Sequence, residues 1–137
     1  MELGDRIFEA EVGAGVQALT DWMVSPQGNL CVCPLTLKLQ GALKTPSSSV
    51  LLSPHTLAKQ LNKHPELSPH EYHAVFIALA SGETYLDGAF RVVIIYELDR
   101  WYKVVLKATA ARDEVFLVSL FRMDEKTLKK VRRLPQI

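Results

Sequence analysis

Cysteine is scarce in this chain: Cys31 and Cys33 are the only two, one residue apart. A disulfide across a single intervening residue would be strained, and no third cysteine offers another pairing. Zinc would need two further ligands, and the four histidines, His55, His64, His70 and His73, show no finger-like spacing. Reduced, structural thiols and no bound metal are expected. Long apolar runs are missing too, since no stretch approaches the ~20 residues that span a bilayer. The opening MELGDRIFEAEVG is acidic and lacks a basic region followed by an apolar one. A signal peptide is therefore not expected. The expectation is a cytoplasmic protein without a membrane partner. Nucleotide and hydrolase motifs are also absent: there is no P-loop, GxGxxG, GxSxG or HExxH. Clustered acidic residues for a two-metal nuclease are missing as well. No cofactor is expected.

What is present is a 137-residue chain with 48% apolar and 23% charged residues, ordinary for a globular protein. The net charge of +1 hides a polarity: residues 1–90 carry five Lys/Arg against nine Asp/Glu, and residues 91–137 carry eleven against six. Such asymmetry hints at a polyanionic partner on the basic side. The favoured reading of the KTLKKVRR run is simply a solvated helix face.

Leu-Ser-Pro-His is written twice, at residues 52–55 and 67–70. Each time serine suits a helix N-cap and proline the first helical position, where no N–H is needed. Leu52 with Leu57, and Leu67 with Tyr72, fit the two positions of a hydrophobic staple, and Glu71 completes a capping box with Ser68. Helices are expected near 54–63 and 69–80. An earlier helical pattern covers 5–23, and SPQGN breaks it. Residues 30–52 read ambiguously as strand or helix. From Glu83 the period changes to that of strands. FRVVIIYEL, WYKVVLKATA and EVFLVSLFR are rich in β-branched and aromatic residues, with short polar breaks between them. TYLD at 84–87 offers an edge strand. A basic helix over 124–133 opens at Asp124. The fold class is α+β: N-terminal helices on a three- to four-stranded antiparallel sheet, with a C-terminal helix. Residues 1–43 are expected to be a helical or irregular extension, and 44–137 the main domain.

Candidate chemistry lies on one helix and two strands. His55 falls in the first turn of its helix, where the dipole favours a neutral imidazole able to act as a base. Lys59 lies on the same helix face, and His64 follows at the helix end. His70 and His73 read as plain surface residues. On the second long strand Lys103, Val105, Lys107 and Thr109 share a face by the period of two. A lysine amid apolar strand residues must reach an open face or hold an anion. On the third, Ser119 and Arg122 add a hydroxyl and a guanidinium suited to phosphate. Their parity differs, so they share a face only if a bulge or the strand end re-aims Arg122.

The runs VLLSPHTLAKQLNKHPELSPHEY, RWYKVVLKAT and EVFLVSLFR together resemble a phage-associated nuclease-like domain. It is of the barnase–EndoU–colicin–RelE-like superfamily, of the kind attached to MuF-type minor head proteins of tailed phages. The resemblance spans roughly residues 44–133. It implies helices packed on an antiparallel sheet that carries the active surface. The implied activity is metal-independent RNA cleavage by attack of the ribose 2′-hydroxyl on the adjacent phosphate, as in a toxin or effector. Carried over, His55 is the base or acid, Lys107 and Arg122 stabilise phosphate charge, and Thr109 and Ser119 position it. Lys59, His64 and Lys103 are secondary contacts to substrate. RNA is the implied partner, with a cognate immunity protein or phage head proteins as further ones, in cytoplasm or virion. The alternative is a non-catalytic head-associated module of the same fold, favoured by the near-neutral charge. A protein acting through contacts made by its apolar N-terminal third is a third reading.

Overall fold

The computed structural model describes residues 15–137 of the chain; the first ten residues of the expected helix over 5–23 lie outside that range. The elements run α1 (Gly15–Val24), β1 (Leu30–Pro34), α2 (Leu37–Leu43), β2 (Ser49–Leu52), α3 (Pro54–Lys63) and α4 (Pro69–Ala78). A 3-10 turn (Leu79–Ser81) follows, then β3 (Glu83–Leu86), β4 (Arg91–Glu97), β5 (Trp101–Ala108), β6 (Val115–Arg122) and α5 (Glu125–Val131). The α+β class holds, with one helix after the last strand, while the first helices alternate with β1 and β2.

The repeated helix start acts as its chemistry requires. The Ser53 and Ser68 hydroxyls accept from the N–H groups of Thr56 and Glu71, and proline opens each helix. Glu71 returns the bond by accepting from the Ser68 N–H at 3.1 Å, which closes the capping box. Leu52, Leu57, Leu67 and Tyr72 are all buried in one core, as stapling residues should be.

The sheet is larger than expected. Six strands lie in the order β1-β2-β6-β5-β4-β3, and every neighbouring pair is antiparallel except β2–β6. The expected boundary near Lys44 falls between α2 and β2, while β1 pairs with β2 and Leu30, Val32 and Leu39 share the core of β5 and β6. Residues 30–43 are thus part of the sheet domain. In β1, Cys31 faces Leu51 and Cys33 faces Val50, so Val32 is an extra, bulged residue. Leu30 through Cys33 are all buried, so β1 shows no alternation. Both cysteines are buried, and no disulfide joins them.

Alternation along β4 and β5 sorts the two faces of the sheet. Val92, Ile94, Tyr102, Val104, Leu106 and Ala108 join Leu19, Trp22, Leu43, Val75 and Phe76 in the main core. Among the described residues the other face is covered only in part. There Tyr85, Val93 and Ile95 pack against Met123, Leu128 and Val131 of α5 and its approach. The remainder of that face shows Arg91, Lys107, Phe116, Val118 and Ser119, all exposed or half-buried. Among the described residues no helix is long and apolar enough to cross a membrane, and no His/Cys/Asp/Glu group could hold a metal ion.

Candidate phosphodiester site on the open sheet face

The open face exists because α3 flanks it without covering it. β2 runs beside β6 only at Val50–Val115 and Leu51–Phe116, then ends. Beyond that point α3 takes its place along β6. The Gln60 amide donates to the Leu120 carbonyl at 2.6 Å, and its carbonyl accepts from the Leu120 N–H at 3.2 Å. A buried side-chain amide thus does what a neighbouring strand would do for a backbone that must find partners.

A bulge in β6 arranges the face itself. Val105 of β5 faces Ser119, but Leu106 faces Leu117, which leaves Val118 extra. Leu117 and Leu120 both stay in the core. The two residues between them, Val118 and Ser119, are consequently both turned to the open side.

Two adjoining clefts lie there, and Val118 lines both. One, about 360 Å³, is lined by Lys59, Gln60, Lys63, His64, Arg91, Val105, Val118 and Ser119. Three cations and an imidazole thus face a hydroxyl across a floor without a carboxylate. His64 is stacked on Phe121, with ring centroids 5.3 Å apart and planes 14° from parallel. Its Nδ1 lies 3.7 Å from a Glu66 carboxylate oxygen, beyond hydrogen-bond distance. Among the described residues no carboxylate pairs with Lys59, Lys63, Arg91 or Lys107. Four cations without a counter-charge on one face attract an anion.

The second cleft, about 580 Å³, is lined by Ser53, Thr56, Phe90, Lys107, Ala108, Thr109, Ala110, Phe116 and Val118. It is mainly apolar, with hydroxyls at its rim. Lys107 is exposed and stands between Arg91 and Phe116, its register partners in β4 and β6. The reading that this lysine reaches the sheet's open face therefore fits.

The expected site residues divide. Lys59, His64 and Ser119 line the cationic cleft, with Lys107 and Thr109 in its neighbour. His55 is exposed and lines neither. It precedes Gln60 by five residues, which on a helix is about 140° away from the side turned to β6. Arg122 stays on the opposite face, because the bulge comes before Ser119 and leaves the parity of Ser119 and Arg122 unchanged. Its guanidinium grips Glu71 in a two-pronged ion pair, Nε at 2.9 Å and a terminal nitrogen at 2.7 Å. Tyr102 donates to the same carboxylate at 2.6 Å. The Arg122 bonds, more than the contributions from Tyr102 and Ser68, hold the Glu71 carboxyl down at about 2, against a smaller opposing effect of burial. Burial first, then the bond to Glu71, pushes the Tyr102 hydroxyl up to about 12. Arg122 is thus a structural clamp between α4 and β6 and is not available to phosphate. The Thr109 hydroxyl is also engaged, donating to Asp113 at 2.7 Å, so it cannot donate to a ligand at the same time. Lys103 lies 5.5 Å over the Phe121 ring and lines a smaller groove with Thr127, Lys130, Val131 and Leu134.

Arg91, Lys63 and Phe116 were not expected in the site. A signal for Arg91 was present: once Glu97 pairs with Trp101 across the short DR break, the antiparallel register carries Arg91 to Lys107. Lys63 lies four residues after Lys59, hence on the same side of α3. Compared with family models, curated proteins and solved structures, the chain matches none of them.

Proposed function

We propose that this chain handles the phosphodiester backbone of RNA on its open sheet face and cleaves it without a metal ion. The observation that carries the reading is the carboxylate-free cleft ringed by Lys59, Lys63, Arg91 and His64. Lysines and an arginine supply the charge that a phosphate seeks, and Ser119 supplies a hydrogen bond. Imidazole is the side chain suited to exchange a proton near neutral pH. In this reading His64 takes the role that the sequence pattern gave to His55.

The proposed step balances as an internal transfer. His64 takes the proton of the ribose 2′-hydroxyl, and that oxygen forms a bond to the adjacent phosphorus. The bond from phosphorus to the 5′-oxygen breaks, and the leaving oxygen takes a proton from the imidazolium or from water. Lys59, Lys63 and Arg91 stabilise the charge that builds on the phosphoryl oxygens.

A second reading keeps the binding and drops the cleavage, as in a non-catalytic phage head-associated module. It is favoured by the Glu71–Arg122 clamp and by the single imidazole in the cleft, which remove two groups that catalysis was expected to use.

One experiment separates them. Purified protein is incubated with single-stranded RNA in chelator, and products are examined for 2′,3′-cyclic phosphate ends. Cleavage that His64→Ala abolishes and His55→Ala retains supports the enzyme. Binding without cleavage supports the second reading. Absence of binding even at low salt overturns both.

A further inference from the structure

We propose that the larger, apolar cleft is a nucleobase subsite. The base of a nucleotide next to the phosphate held by Lys59, Lys63 and Arg91 stacks on Phe116, so the ligand is single-stranded RNA. This rests on the phosphodiester reading of the cationic cleft and extends it to the form of the nucleic acid.

Four observations lead there. First, the two clefts adjoin through Val118, so a ligand whose anionic part fills one places its next group in the other. Second, Phe116 is half-buried on the open face, and no ring or cation partners it among the described residues. The other phenylalanines near the face are occupied. Phe121 stacks with His64, and Phe90 is covered by Arg112, whose guanidinium carbon lies 4.3 Å from its ring centre.

Third, the walls are preset. Arg112 donates to the carbonyls of Leu43 at 2.7 Å and Ala89 at 3.1 Å, and its own carbonyl accepts from the Thr45 hydroxyl at 2.6 Å. The turn bearing Thr109 and Ala110 is therefore fixed to α2 and to the β3–β4 turn. A preformed aromatic wall costs little to order when a ring arrives. Fourth, the rim offers directional groups. The Ser53 oxygen accepts from the Thr56 N–H, but neither its proton nor the Thr56 hydroxyl meets a protein acceptor among the described residues. Both can address the edge of a base. A base paired in a duplex shows neither face nor that edge, which is why a single strand is specified.

The test uses the full chain and a ligand that resists cutting. A labelled 2′-O-methyl hexaribonucleotide is compared with an abasic hexamer of equal phosphate number and with the duplex of the same sequence. The expected result is binding of the single strand roughly tenfold tighter than either competitor, the effect of one stacked base. Phe116→Leu, which keeps an apolar strand residue, is expected to erase the preference and leave abasic affinity unchanged. A 2-aminopurine in the hexamer reports stacking by quenched fluorescence with wild-type protein, should the variant fold poorly. Equal binding of hexamer and abasic strand overturns the base subsite while the phosphate site stands. No binding of either overturns both. A wild-type dimer in sedimentation that Phe116→Leu dissociates assigns the face to a second copy of the chain and overturns the proposal.

Discussion

Gln60 pairs with Leu120 as one strand pairs with another, offering a donor and an acceptor to the same residue's backbone. Replacing it with leucine keeps the bulk and leaves the Leu120 N–H and carbonyl buried without partners. The expected cost is about 2–4 kcal/mol, from two orphaned groups. Urea unfolding of Gln60→Leu measures it. A loss below about 1 kcal/mol would mean that water replaces the amide.

The Glu71–Arg122 clamp makes stability depend on pH at the acid end. Glu71 is lowered from the ordinary 4.5 to about 2. A depressed carboxylate contributes fully above its unfolded value and loses that contribution as pH falls toward its folded one. Glu71→Gln is therefore expected to be less stable at pH 7, by about 1–3 kcal/mol. The gap should close between about pH 4.5 and pH 2, with no change above pH 6. Thermal melts at stepped pH check this. A gap that persists below pH 2 would assign the effect to packing.

The uncompensated cations should set the salt dependence of RNA binding. Each contact between a cation and a phosphate of a single strand contributes about 0.7 to the slope of log affinity against log salt. Lys63→Ala and Arg91→Ala are each expected to lower that slope by about this amount. Arg122→Lys lies on the far face and should leave it alone, although it weakens the clamp. A slope unaltered in the first two variants would move the binding surface elsewhere.

Two glycines should respond in opposite directions to alanine. A Cβ on Gly82 would lie 2.8 Å from both the Ile94 side chain and the Ile95 carbonyl oxygen, so Gly82→Ala is expected to cost about 1–3 kcal/mol. Gly41 is in the middle of α2 with nothing within 4 Å of such an atom. Gly41→Ala should gain about 0.5–1 kcal/mol. Chemical denaturation of the pair checks both signs.

What could be foreseen follows the range of the forces involved. Helices α3, α4 and α5 were legible because caps and prolines act within one turn, as Ser53, Ser68 and Asp124 do. The β4–β5–β6 meander was legible because its connections are short. β1 was not, since four successive buried residues leave none of the alternation that marks a strand. The parallel seam between β2 and β6 left no local trace either. In the site, Lys59, His64, Lys107 and Ser119 were marked by chemistry that sits oddly in its element. His55 was misjudged because the side of α3 that meets β6 is chosen by Gln60, a residue with no catalytic character. Arg122 was misjudged because its partner, Glu71, had already been explained as a helix cap. One carboxylate does both jobs.

That parallel seam also has a bearing on assembly. It joins residues near Val50 to residues near Val115, segments far apart along the chain. The meander β3 to β6 closes through short connections, whereas seating the β1–β2 pair joins segments distant in sequence. Docking of β1 and β2 is therefore expected to be the slow step of folding, which stopped-flow refolding would check.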